Sequence, residues 1–250
     1  MGGSDRPIDA QHTPTAVRAR LDAGPTASHL RDLVYGAIDG TVTTFAVVAG
    51  VAGAALDTTV VLVLGAANLL ADGFSMAVSN YLGIRSDIQR RAQVEREEER
   101  HVEVVPEGER EELRQLLRPW GLEDELLEEV VQAISEREER WVDLMVQWEH
   151  GFPAAMPDPL RSGVATFAAF VVVGFIPLAP FVVDLTPWFT VPGPFVWSTA
   201  LTGITFVLVG IARGVVVDRP RWRTAAETFA IGGAAAALAY LAGIWLAGLV

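Results

Sequence analysis

The chain has no cysteine, which removes a disulfide framework and any thiolate metal site from consideration. It has no lysine either, so all 19 of its basic residues are arginine, a bias that a GC-rich genome explains without invoking function. Positive charge is scarce overall: 31 acidic residues leave a formal net charge of −12. Residues 1–30 lack the apolar core of a signal peptide. Scattered Pro, Thr, Asp and Arg make them read as a short disordered cytoplasmic tail.

Long apolar runs, by contrast, are plentiful. Five stretches, 33–56, 58–84, 163–183, 195–217 and 225–250, reach the roughly 20 residues needed to cross a bilayer core. The expected fold is therefore an all-α membrane protein. It has five transmembrane helices and a three-helix cytoplasmic domain between spans two and three. The implied organisation is a tail (1–30), spans one and two (31–84), an acidic helical domain (85–160) and spans three to five (161–250).

The arginines orient these spans. Arg31 precedes the first; Arg85, Arg90 and Arg91 follow the second; Arg161 precedes the third; Arg213, Arg219, Arg221 and Arg223 lie between the fourth and fifth. The remaining two loops carry no basic residue. The positive-inside rule then places the N-terminus in the cytoplasm and the C-terminus outside. With no organelle signal in view, the expected location is a bacterial inner membrane.

Residues 85–160 hold 21 acidic residues against 10 arginines, and so nearly all of the chain's excess negative charge. That sign is wrong for nucleic acid or an anionic lipid surface and right for concentrating cations. Apolar residues recur at helical spacing through the segment, as in Leu113, Leu116, Leu117 and again in Trp141, Leu144, Met145, Trp148. Three amphipathic pieces follow: 85–102 continuing span two, then 107–117, then 123–150 with a bend near Ser135. Glu98 with His101, Glu109 with Glu112, and Met145 with Glu149 stand three or four residues apart. Each pair shares a helix face and is able to share an ion, although acidic helices also contain such pairs by chance.

The second span, in "NLLADGFSMAVSNYL", carries Asn68, Asp72, Met76 and Asn80 at intervals of four, which puts them on one stripe. An acid at bilayer depth costs about 2.5–3.5 kcal/mol on insertion scales and belongs on a bundle interior. Span one has its own acid, Asp39, with Thr43 one turn on. Counting from the cytoplasmic end, Asp39 and Met76 fall within roughly 3 Å of the same depth. Gly36 and Gly40 form a small-xxx-small face that lets helices approach closely. Carboxylate and amide oxygens beside a thioether suit a divalent transition metal, and carboxylates couple metal loading to protons.

"DGTVTTFAVVAGV" from Asp39, "NLLADGFSMAVSNYL" from Asn68 and "WVDLMVQWEHG" from Trp141 resemble the vacuolar iron transporters, over about residues 29–250. That resemblance implies a homodimer in the lipid bilayer with its pathway between subunits. It also implies a cytoplasmic metal-binding domain joined to span two, and antiport of Fe2+ against protons out of the cytoplasm. The donor set does not separate iron from Mn2+, Co2+ or Zn2+. By resemblance Asp39 and Met76 line the pathway, and Glu98, His101, Glu109, Glu112, Met145 and Glu149 bind metal. His101 stands where such proteins are expected to carry Glu, Asn68 where some carry an acid, and Val146 where some carry Glu. The same residues leave two other readings open. One is a membrane-anchored di-iron ferroxidase built on Glu98-x-x-His101. The other is a metal sensor without flux, which the acids inside the spans disfavour.

Overall fold

The computed structural model of the chain describes residues 8–23 and 28–249, and among them every regular element is helical. Part of the expected disordered tail is ordered as α1 (Ile8–Gln11) and α2 (Pro14–Ala23). The reason is local. Thr13 precedes a proline suited to the first helical turn, and its Oγ1 accepts the Ala16 N–H at 3.3 Å, which is an N-cap. Residues 1–7 and 24–27 of the expected tail lie outside the described residues.

Among the described residues, five helices are long and apolar enough to cross a membrane: α3 (Leu30–Gly53), α4 (Thr58–Val104), the stretch Pro159–Asp184, α10 (Pro194–Val216) and α11 (Arg221–Ala247). The protein is thus a multi-pass membrane protein. α4 runs unbroken through all 47 of its residues. The acidic segment then adds α5 (Pro106–Leu117), a 3-10 turn at Arg118–Trp120, α6 (Asp124–Ser135) and α7 (Glu138–Trp148). The third span is not one helix, as its continuous hydropathy had suggested. It divides into α8 (Pro159–Gly174), a 3-10 turn at Ile176–Leu178 and α9 (Ala179–Asp184). Pro177 and Pro180 lack the N–H that a continuous ladder needs. The Ser198 hydroxyl of α10 donates to the Pro177 carbonyl at 2.6 Å, so that acceptor is satisfied inside the bundle.

The chain divides into two compact units. One groups residues 28–83 with 158–249; the other groups 84–157 with α1 and α2. In the first, α3 packs against α8, α10 and α11. Phe45, Val48, Val51, Val61, Leu69, Phe170, Leu178 and Phe181 form its apolar core. Gly36 and Gly40 face α8, not α4: a methyl group at either would run into the backbone carbonyl of Thr166 or Phe170. Leu64, Leu70 and Phe74 on α4, and Ile231, Leu238 and Leu241 on α11, are exposed, as lipid-facing side chains are.

The second unit closes around Val94, Val102, Leu113, Leu117, Leu127, Val131, Trp141, Val142, Met145 and Val146. The bend expected near Ser135 within 123–150 is a full break between two helices, with Arg137 at φ −122°, ψ 83° outside helical geometry. A straight helix over that range would extend about 40 Å, far past the 12 residues of α5. The break lets the Leu127/Val131 and Trp141/Met145 faces share one core.

Candidate functional site

Among the described residues, polar side chains gather in the second unit and along α4. In the second unit, the C-terminal part of α4 supplies Glu98 and His101, α5 supplies Glu109 and Glu112, and the end of α7 supplies Glu149 and His150. Two groupings of ligand-type atoms result, Glu98–His101–Glu109 and Glu98–Glu149–His150, each with its atoms within 4.8 Å of one another. Glu98 belongs to both. Its Oε1 lies 2.9 Å from His150 Nε2 and 3.8 Å from His101 Nδ1, while His101 Nδ1 lies 3.4 Å from Glu109 Oε1.

Glu98 and Glu109 are each only 3% exposed. The second oxygen of each carboxylate, Oε2, is buried without a hydrogen-bond partner. Burial raises the pKa of Glu109 to about 7, with the charges of Glu98, Glu112 and Glu149 adding to the effect. Glu149 is raised too, first by burial and then by Glu112 and Glu98. Glu112 is exposed and takes part through these charge interactions. Met145 is wholly buried within the apolar core, one turn before Glu149, and Val146 is buried beside it.

His150 is the member of this cluster that sequence reasoning missed. On a continuing helix it would point away from the Met145–Glu149 face. The helix stops instead: His150 N–H reaches back to the Met145 carbonyl, Phe152 N–H to the Val146 carbonyl, and Gly151 takes φ +72°. This left-handed turn, which glycine adopts without strain, folds the imidazole back onto Glu98. "EHG" just after an amphipathic helix was the available signal.

The second place is the polar stripe of α4. Asn68, Asp72, Met76 and Asn80 are all half-buried, beside the fully packed row Val61, Gly65, Leu69, Gly73. Asn68 Nδ2 donates to Thr43 Oγ1 at 3.3 Å and to Thr44 Oγ1 at 3.5 Å on α3. The Thr43 hydroxyl in turn donates to the Asp39 carbonyl at 2.8 Å. Asp39 and Asp72 are close enough for their charges to interact. Met76 packs against the apolar core of this unit. Asn80 does not join that group. Its Nδ2 donates to Asp32 Oδ1 at 3.1 Å and to Thr166 Oγ1 at 2.9 Å, linking α4 with α3 and α8. His29 Nδ1 completes this second network, 3.0 Å from Ser162 Oγ and 3.4 Å from Asp32 Oδ2. Asp32, His29, Ser162 and Thr166 were not singled out in the sequence, because each sits at a span end where polar residues are ordinary.

Fold and site together define an all-helical, multi-pass membrane protein. It has acids inside its spans and a cluster of carboxylates and imidazoles outside them. The model of the VIT family matches residues 30–244, and the chain belongs to that family. Among its relatives, vacuolar iron transporter 1 of Arabidopsis thaliana is 32% identical over 214 residues, covering 84% of this chain and 83% of the relative. Vacuolar iron transporter 1 of Eucalyptus grandis is 30% identical, covering 84% of each. The vacuolar iron transporter of Toxoplasma gondii is 28% identical over 225 residues, 86% of this chain and 73% of the relative.

Proposed function

We propose that this protein moves ferrous iron out of the cytoplasm in exchange for protons. The observation that carries the reading is that one family match spans both the polar-striped helices and the acidic helices. The acids of the second unit capture the ion. Asp39, Thr43, Asn68, Asp72 and Met76 line its route, while Asn80 braces the helices through Asp32 and Thr166. Protons compete with metal for carboxylates, which supplies the coupling. The donor types also admit Mn2+, Co2+ and Zn2+. The stripe on α4 is half-exposed in a single chain, which supports a homodimer in which a second copy completes the route. The arginine pattern supports a cytoplasmic N-terminus and an outer C-terminus, in a bacterial inner membrane.

The test is ferrous-ion flux into proteoliposomes under an imposed pH gradient, with wild type beside Asp39→Asn and Met76→Ala. Flux that follows the gradient and fails in Asp39→Asn is expected. Absence of flux for iron, manganese, cobalt and zinc, with metal still bound, overturns the reading. The Glu98–His101–Glu109 grouping favours ferroxidase chemistry as the second reading. Oxygen consumption by the iron-loaded full chain would then replace flux.

A further inference from the structure

We propose that His150 and His101 are metal ligands that share Glu98. They would form two neighbouring positions, each combining one imidazole nitrogen with carboxylate oxygens. This donor set selects transition-metal cations over magnesium and calcium. The proposal deepens the reading of the acidic unit as a capture site and rests on it.

The centre of this cluster has a deficit of positive charge. Two carboxylates that are 97% removed from solvent each keep an oxygen with no hydrogen-bond partner, in surroundings where an uncompensated charge is costly. Three arginines of this unit pair with other acids: Arg91 with Asp143 and Glu95, Arg110 with Glu107, Arg114 with Glu128 and Glu111. The nitrogen groups that do face Glu98 are the two imidazoles. A neutral imidazole offers a lone pair rather than a charge, so the pair of acids still calls for a cation, and the imidazoles are positioned to ligate it.

The spacing fits. Ligands about 2.0–2.2 Å from a common ion stand roughly 3 Å apart when adjacent. The contacts from Glu98 Oε1 to His150, from Glu109 Oε1 to His101 and from Glu98 Oε1 to His101 are 2.9, 3.4 and 3.8 Å, and small side-chain rotations close the longer ones. The two imidazoles belong to different groupings, so each position gains one nitrogen. Nitrogen donors favour iron, cobalt and zinc, whereas magnesium and calcium prefer oxygen alone. His150 is also presented by a fixed turn rather than a free side chain on a helix face, which lowers the entropy lost on binding.

The test uses the full-length protein in detergent. Co2+ is titrated calorimetrically in the presence of millimolar Mg2+, and Mn2+ is bound separately and read by pulsed electron paramagnetic resonance for coupling to 14N. Wild type is expected to show 14N coupling and to hold Co2+ against Mg2+. His150→Gln and His101→Gln each weaken one Co2+ position by about 10-fold or more, and the double variant loses the 14N signal. His101→Glu with His150→Glu is expected to keep metal binding, lose the nitrogen coupling and admit Mg2+ as a competitor. That variant separates loss of a ligand from loss of the fold. Unchanged 14N coupling in the double Gln variant, or unchanged Co2+-over-Mg2+ preference in the double Glu variant, overturns the proposal. Both readouts are equilibrium measurements. Failed flux with these results intact would sink only the transport reading.

Discussion

His150 Nε2 lies 2.9 Å from Glu98 Oε1, across 52 residues of chain. This contact joins the end of α7 to the C-terminal part of α4 and makes Glu98 common to both ligand groupings. Replacing Glu98 by Gln should therefore impair both at once. The expected loss of Co2+ affinity is about 100-fold or more. Glu112→Gln, at an exposed position, should cost about 10-fold or less. Calorimetric titration of the two variants side by side checks the ranking.

The metal-free protein should become less stable as pH rises from 4.5 to about 7. Glu109 has its pKa raised from 4.5 to about 7 in the fold, so over that interval the folded chain holds a proton that the unfolded chain has released. Stability then falls with pH and levels off above about 7, by on the order of 2 kcal/mol from this group. Glu149, shifted in the same direction, adds to the slope. Thermal melting of the apo-protein across that range measures it. Saturating metal should flatten the dependence, since a bound cation favours the ionised acids.

Asn80→Ala should loosen the span ends joined by Asp32, Asn80 and Thr166. The expected cost is about 1–3 kcal/mol, because the change leaves a half-buried carboxylate without its amide donor. Hydrogen exchange at the first turns of α3 and α8 should rise. Leu70→Ala, at an exposed position on α4, should leave exchange there nearly unchanged.

Gly40→Ala should be destabilising by about 1–3 kcal/mol despite the higher helix propensity of alanine. The added methyl meets the Phe170 backbone, which has no side-chain rotamer through which to yield. Gly83→Ala, with open space around it, serves as the control in detergent melting experiments.

The sequence disclosed those features that depend on composition averaged over many residues. Five apolar runs predicted five spans, because twenty residues of sustained hydropathy have few alternatives in a protein. That Asn68, Asp72, Met76 and Asn80 share one helix face was legible because a period of four inside such a run stands out, and all four are half-buried. Features set by a single backbone event were not. Pro177 and Pro180 broke span three without lowering its hydropathy. His150 became a neighbour of Glu98 only because α7 ended at Trp148 and Gly151 turned left-handed. The small helix α2 was signalled by Thr13-Pro14, a start motif that the polar composition of the tail obscured.

The Gly36 and Gly40 contacts also set how closely the membrane unit is built at one seam. There α3 meets α8 backbone to backbone, so any group added at either glycine has to be absorbed by main chain rather than by a side-chain rotamer. Asp39 stands next to Gly40 in the chain, so this acid is carried on a stretch of helix whose neighbour on α8 cannot be altered without shifting backbone.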